Sequence, residues 1–312
     1  MIISYKNSGR ERLDKFLAGR FSNYSRNYFQ KLIENNQVIV NNKAVKANHI
    51  LKMGDRIKIK FQKDLESINL QSANIKLDIL FENDDLIVIN KSAGLVVHPG
   101  AGNQNNTLVN ALLNYYPNIR SATHDQSNVS LTRPGIVHRL DKDTTGVLIV
   151  AKNKKALDCF SKQIADRKTK KIYLAICFGW PKNDRGTITN YLGRNPKNRK
   201  LITDVGIERG REAISTYKVI KYFEKNGIKL SLIEFNIKTG RTHQIRYQAK
   251  FIGIPVFGDQ IYGTKESILI TKKLKIKRQL LHAKDIYITL PNYNKPSRFS
   301  APMPSDFQNI LE

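Results

Sequence analysis

Arg133-Pro134-Gly135-Ile136-Val137-His138-Arg139-Leu140-Asp141-Lys142-Asp143-Thr144-Thr145-Gly146 is a polar turn that runs directly into the apolar strand Val147-Leu148-Ile149-Val150. Its two carboxylates, paired hydroxyls and flanking cations therefore occupy a loop that leads into buried β-structure. Loops carried on rigid elements are where binding and catalytic groups concentrate. On either side of it, short strands alternate with helical stretches. Residues 77–89 read as a strand pair, 107–116 as a helix, 147–151 as a strand, 156–164 as a helix, and 172–178 and 230–237 as strands. A further helix is expected over 242–252. This order predicts a mixed α+β domain rather than regular βαβ winding, and no internal repeat is visible.

Residues 12–61 read as a separate small unit. Leu13, Phe16, Leu17 and Phe21 recur at helical spacing, and Phe29, Leu32 and Ile33 do so again after Ser25, an N-cap candidate. The two helices share one apolar seam, and Arg12, Lys15, Arg20, Arg26 and Lys31 fall largely outside it. Val38-Ile39-Val40, a turn at Asn41 and Asn42, Ala44-Val45 and Asp55-Arg56-Ile57-Lys58-Ile59 supply short strands. Residues 62–74 are mostly polar, with Leu65, Ile68 and Leu70 too scattered to define a period, and read as a linker.

A chain of 312 residues has room for two domains with cores of their own, and 40% hydrophobic residues exclude a disordered or collagen-like chain. Fifty-three Lys and Arg against 26 Asp and Glu leave a net charge of +27. A field of that sign attracts polyanions and speeds their encounter. Codon drift in an A+T-rich genome accounts for part of the excess, but the basic residues come with aromatic and motif context. Cys159 and Cys177 lie in apolar segments and read as small core residues of a reducing compartment. The six histidines show no zinc spacing, so a metal site is not expected. With no apolar leader at the N-terminus and no apolar run long enough to span a membrane, the protein is expected in the cytoplasm, with no membrane partner.

From spacing alone Asp141 reads in two ways. It is either a nucleophile or base kept ionised by a nearby cation, or a turn carboxylate paired with Arg139. A calcium loop beginning at Asp141 fails because its twelfth position is Lys152, where a bidentate Glu is required. Gly100-Ala101-Gly102 is not a dinucleotide fingerprint, since Asn105 stands at the third glycine position. The Lys-rich segment 271–278 reads as a phosphate-binding or a solvated loop.

Two family resemblances rest on these motifs. Arg12-Leu13-Asp14-Lys15-Phe16-Leu17, Ser25-Arg26, Val38-Ile39-Val40-Asn41 and Gly54-Asp55-Arg56-Ile57 resemble the S4 RNA-binding domain. That implies RNA contacts for Arg12, Lys15 and Arg26. Asn36 replaces the family's usual Gly, and Asn tolerates positive φ better than most residues. Farther along, six motifs occur in one order: Asn90-Lys91-Ser92-Ala93-Gly94-Leu95-Val96-Val97-His98-Pro99-Gly100, then 135–146, Lys171-Ile172-Tyr173-Leu174-Ala175, Gly240-Arg241-Thr242-His243-Gln244-Ile245-Arg246, Gly258-Asp259-Gln260-Ile261-Tyr262-Gly263 and Leu280-Leu281-His282-Ala283. Together they resemble the RluA-type pseudouridine synthases, most closely the branch of ribosomal large subunit pseudouridine synthase D. Ser92, Gln248 and Ile254 depart from the family pattern without removing a proposed catalytic group.

The resemblance implies an S4-like RNA-binding domain over 1–61, a linker over 62–74 and, over 75–312, a catalytic domain with a mixed, largely antiparallel sheet. It also implies a reaction that breaks the uridine N1–C1′ bond, rotates the freed uracil and rejoins it through C5, with no cofactor or metal. Asp141 takes the position of the catalytic aspartate; attack on the sugar, addition to the base and removal of a sugar proton all remain open for it. Tyr173 matches the tyrosine that stacks on the base, and Arg246 the arginine that pairs with the carboxylate. Leu281 matches an apolar wall of the base pocket. Arg139 is positioned to fill the gap left by an extruded nucleotide, and His138 to position the loop or meet substrate. The implied substrate is 23S ribosomal RNA at the helix 69 stem-loop. Other ribosomal or transfer RNA sites, and a non-catalytic role in ribosome assembly, stand as alternatives. Large-subunit ribosomal RNA, the assembling large subunit and a monomeric state complete the expectation.

Overall fold

The computed structural model describes residues 1–21, 24, 26–61, 70–100, 103, 105–123, 133–199 and 201–312. The N-terminal segment forms β1 (Ile2–Ser4), β2 (Glu11–Arg12), α1 (Leu13–Arg20), α2 (Arg26–Glu34), β3 (Val38–Val40), β4 (Lys43–Ala44), β5 (Ile50–Leu51) and β6 (Arg56–Ile59). Leu13 and Leu17 from α1 meet Phe29, Leu32 and Ile33 from α2 over Val38, Val40 and Ile57 of the sheet β1-β6-β3-β4. The shared seam is therefore the core of this unit. Asn36 takes φ 57°, and Asn41 and Asn42 take φ 50° and 61°. Two successive left-handed residues make the tight turn that matches the twist of a hairpin, here between β3 and β4. Ser25 and residues 62–69 of the expected linker lie outside the described residues.

The rest of the chain builds β7 (Ile79–Glu82), β8 (Leu86–Lys91), α3 (Leu108–Tyr115), α4 (Ile119–Ala122), β9 (Thr145–Ala151), α5 (Lys154–Ala165), β10 (Lys170–Phe178), β11 (Arg185–Arg194), β12 (Ile202–Asp204), β13 (Arg211–Lys225), β14 (Ile228–Ile237), α6 (Gln244–Phe251), α7 (Lys265–Lys273), β15 (Leu281–Thr289), β16 (Pro296–Ser300) and α8 (Ser305–Leu311). Among the described residues one ten-stranded sheet runs β12-β11-β13-β14-β10-β15-β9-β8-β7, with β16 added beside β15. Its pairings are antiparallel apart from β9 with β15. This is the mixed, mainly antiparallel α+β architecture expected.

That one parallel seam positions the Asp141 loop. The loop enters the sheet at Thr145 and Gly146, whose register partners are His282 and Ala283. Gly146 has φ 112°, and a Cβ there would stand 2.1 Å from the Ala283 carbonyl oxygen. Only glycine allows both that backbone conformation and that approach. Behind the loop, every residue of β9 is buried. β10 divides its side chains as a strand must: Tyr173, Ala175 and Cys177 join the main core, while Leu174 and Ile176 pack on Phe257, Leu280 and Phe307 on the other face. No helix among the described residues is long and apolar enough to cross a membrane.

Two readings of the sequence need correction. Residues 179–229, given no structure above, supply β11 and the long strand β13. The segment 271–278 is not a solvated loop throughout: Thr271 is buried within α7, and Arg278 is buried in an ion pair with Asp306.

Candidate active site

A cleft is lined by Arg139, Leu140, Asp141, Thr144, Tyr173 and Leu281 on one side and by the segment 240–246 on the other. Its empty space is about 520 Å³, a volume that includes the solvent at its open mouth. The structure thus gathers Arg139 and Asp141, Tyr173, Arg246 and Leu281 from four distant parts of the chain. Asp141 is the one carboxylate among the lining residues, against Arg139, Arg241 and Arg246.

Arg246 decides the geometry. Its Nη1 donates to Asp141 Oδ2 at 3.2 Å, whereas its Nε and Nη2 form a fork to Asp259 at 2.6 and 3.0 Å. The stronger partner is therefore Asp259, whose side chain is wholly buried, and not Asp141. Asp259 Oδ1 also accepts the backbone N–H groups of Ile261 and Tyr262, so this carboxylate is locked by its own turn. Burial disfavours the Arg246 charge, but the Asp259 bonds outweigh it and raise the pKa further above the ordinary arginine value. Arg246 is thus a permanent cation that the buried Asp259 aims at the half-buried Asp141. Asp141 keeps Oδ1 without a hydrogen-bond partner among the described residues and stays partly open to the cleft. A carboxylate with one oxygen held and one free can act as a nucleophile or a base.

His243 stands at the N-terminal end of α6 with φ 53°. Its Nε2 is 3.9 Å from Asp141 Oδ2, and its Nδ1 meets the Tyr262 hydroxyl at 3.0 Å. Burial pushes its pKa down, against the pull of Asp141. The Tyr262 ring in turn lies 5.2 Å from the Arg246 guanidinium. Tyr173 projects into the cleft from β10, where the ladder to β15 shifts register between Ile172 and Tyr173. Burial, and then Asp141, raise its pKa above the ordinary phenol value. It is therefore a neutral phenol at physiological pH, able to stack or donate but not to act as a base. Leu281, first residue of β15, closes the apolar wall.

His138 does not line the cleft around Asp141. Its Nε2 accepts the Ile149 N–H of β9 at 2.9 Å, and burial, with Lys171 nearby, pushes its pKa down to about 3. The ring fastens the loop to the strand. Lys91 does the same from below: its Nζ donates to the carbonyls of Ser92, Leu95 and Lys142. Arg139, by contrast, is exposed, with no hydrogen bond or ion pair among the described residues. On the N-terminal unit, buried Asp14 gathers Arg12, Arg26 and Gln30. Burial works against the Asp14 charge, but those bonds hold its carboxyl well below the usual range. The two guanidiniums keep 40% and 43% of their side-chain surface exposed, so they are aimed outward rather than neutralised. Lys15 is exposed beside them.

Three residues of this machinery received no role from the sequence: Asp259, His243 and Lys91. All lie inside motifs quoted above. For Asp259 the signal was available, since an Asp after a Gly commonly accepts the N–H groups two and three residues on.

Residues 85–250 match the family described as RNA pseudouridylate synthase, and residues 11–57 match the S4 domain. An uncharacterized RNA pseudouridine synthase of Synechocystis is 39% identical, over 96% of this chain and 88% of that protein. Ribosomal large subunit pseudouridine synthase D of Salmonella typhimurium is 35% identical, over 97% and 90%. RNA pseudouridine synthase 2, chloroplastic, of Arabidopsis thaliana is 33% identical, over 97% and 80%. Among solved structures, human RNA pseudouridylate synthase domain containing 1 shares the fold, with a TM-score of 0.58 at 24% identity, covering 74% of this chain and 85% of that one.

Proposed function

The chain belongs to the RNA pseudouridylate synthase family and is an RNA pseudouridine synthase, and from that premise we propose that its substrate is an unpaired uridine of 23S ribosomal RNA, in the helix 69 stem-loop. The similarity to ribosomal large subunit pseudouridine synthase D over nearly the whole chain supports the ribosomal target. The roles follow the geometry. Asp141 is the catalytic aspartate, with Oδ1 facing the target nucleoside. Arg246 holds its other oxygen, Tyr173 stacks on the base, and Leu281 walls the pocket. Arg139, exposed and without an ion pair among the described residues, fills the gap in the RNA stack; His138 supports the loop rather than touching substrate. Arg12, Lys15 and Arg26 grip phosphates from an S4 domain spanning 1–61, joined through 62–74 to the catalytic domain over 75–312. Phosphate contacts position the RNA, and flipping of an unpaired base selects it. The enzyme works as a cytoplasmic monomer on ribosomal RNA, free or in the assembling large subunit.

The observation that carries this reading is Arg246 Nη1 at 3.2 Å from Asp141 at the floor of a cationic cleft. The test is to map pseudouridines in RNA from cells with and without the protein. Loss confined to helix 69 supports the proposal. Loss only in transfer RNA or at other ribosomal sites overturns the target, and no loss anywhere points to the non-catalytic alternative.

A further inference from the structure

A second hollow opens beside the cleft and shares with it Arg139 and the segment 240–243. Its other wall is the end of the β11–β12 hairpin and the start of β13. Five arginines line it: Arg139, Arg194, Arg209, Arg211 and Arg241. No carboxylate does. Glu212, the nearest acid along the strand, is drawn away into an ion pair with Arg167 at 2.8 Å. Arg139, Arg209 and Arg211 have no hydrogen bond or ion pair from their side chains among the described residues. Burial and then the charges of Arg211 and Arg167 lower the Arg241 pKa, against the weaker pull of Glu212. Arg cations that outnumber the neighbouring acids, Glu208 and Glu212, are stabilised by an anion that enters.

The hollow is built rather than accidental. Arg194 Nη1 donates to the Arg199 carbonyl at 2.8 Å and closes the hairpin end. At Gly210, between two of the arginines, a Cβ would stand 2.2 Å from the Tyr191 carbonyl oxygen. Glycine there lets the Arg209 and Arg211 backbone lie against β11. The hairpin is also tied to the catalytic cluster, since Ile202 N–H donates to the Tyr262 hydroxyl that meets His243. An anion bound here is therefore held in register with Asp141.

We infer that this arginine hollow is a backbone subsite that binds phosphodiesters of the RNA strand next to the uridine seated in the cleft. The inference rests on the RNA substrate class above, but not on the identity of the target uridine. Planar guanidiniums pair phosphates bidentately, and the shared 240–243 wall makes hollow and cleft one continuous track. The subsite reads charge, not base, so it strengthens binding at any sequence.

The test measures affinity and its salt dependence for an RNA stem–loop with unpaired uridines, using Arg209→Gln, Arg211→Gln and the double variant. Arg185→Gln, which removes an exposed charge at the far end of β11, is the control. Each lost phosphate contact is expected to flatten the slope of log affinity against log salt by about 0.7, and affinity should fall about tenfold per site. RNA carrying single methylphosphonates then localises the contact. One position near the target uridine should weaken wild-type binding and leave the double variant unaffected. The inference is overturned if Arg185→Gln flattens the slope as much as Arg209→Gln, or if every methylphosphonate costs the double variant what it costs the wild type. The readout needs no turnover, so a wrong target uridine would appear as absent product with the charge coupling intact.

Discussion

Replacing Asp259 with Asn removes the charge that aims Arg246 while changing the side chain least. In the folded protein this carboxylate is fully buried and takes two bonds from Arg246, at 2.6 and 3.0 Å, and two from backbone N–H groups, at 2.9 and 3.0 Å. An Asn oxygen in the place of Oδ1 can keep the backbone pair and the Arg246 Nη2 bond, but its amide must then face Arg246 Nε, which is itself a donor. Breaking a buried ion pair from one side costs about 3–5 kcal/mol, because the remaining charge is left uncompensated. With three of the four bonds retained, the lower end applies, about 3 kcal/mol. At roughly 2–4 °C per kcal/mol for a domain of this size, the melting midpoint should fall by about 6–12 °C. Activity should suffer separately. An Arg246 that has lost the Asp259 charge and its Nε bond turns toward Asp141 and occupies the oxygen that faces substrate, which lowers kcat about 100-fold with KM little changed. Thermal melts, followed by single-turnover assays well below the variant's midpoint, read the two effects independently. A variant with the wild-type midpoint, or one whose loss lies only in KM, would refute this account of the Arg246 anchor.

Acidification should weaken the fold in a defined window. Burial holds the pKa of His138 near 3 and that of His282 near 4, so both rings are neutral in the folded state. The unfolded chain takes up those protons below about pH 6.5. Stability is therefore complete above 6.5 and declines as pH falls toward 4, by about 1.4 kcal/mol per ring at pH 5.5. Urea midpoints at pH 7.5 and 5.5 should show the loss, and His138→Gln should reduce it; a flat profile would contradict it. At the C-terminal end, Arg278 holds the carbonyls of Asp143, Gln279 and Leu281 and pairs with Asp306 of α8. Arg278→Met strips three carbonyls of their donor and should cost about 3 kcal/mol, whereas Asp306→Asn, at a half-exposed acid, should cost about 1 kcal/mol. Denaturant melts that reverse this order would rule out Arg278 as the strut of the catalytic loop.

Periodicity and turn chemistry made much of the architecture legible. The apolar seam of α1 and α2, the apolar run 147–151 of β9 and the two faces of β10 each follow from one local pattern. The region 179–229 was opaque for a physical reason. β13 alternates buried Ala213, Ser215 and Tyr217 with half-buried neighbours at its start and is largely exposed beyond Val219, so small, polar and charged residues fill it and no apolar period emerges. Its strand character comes from pairing with β11 and β14, which are distant or tertiary facts. The site shows the same division. Asp141 and Arg246 were marked by motif, yet the dominance of Asp259 over Asp141 as the partner of Arg246 depends on a contact between a helix and a later turn. His138 was assigned to substrate among other options, but its ring nitrogen is spent on a strand N–H, which no sequence spacing could reveal. Lys15, Arg12 and Arg26 looked alike as surface cations; buried Asp14 separates the two arginines it orients from the lysine it does not.

Asp141→Asn tests the central claim most directly, since it preserves shape while abolishing the charge and the free carboxylate oxygen. The measurement is tritium release from RNA labelled at uridine C5, alongside binding of the same RNA. The account predicts no release above background with RNA affinity retained. Release at the wild-type rate would contradict it.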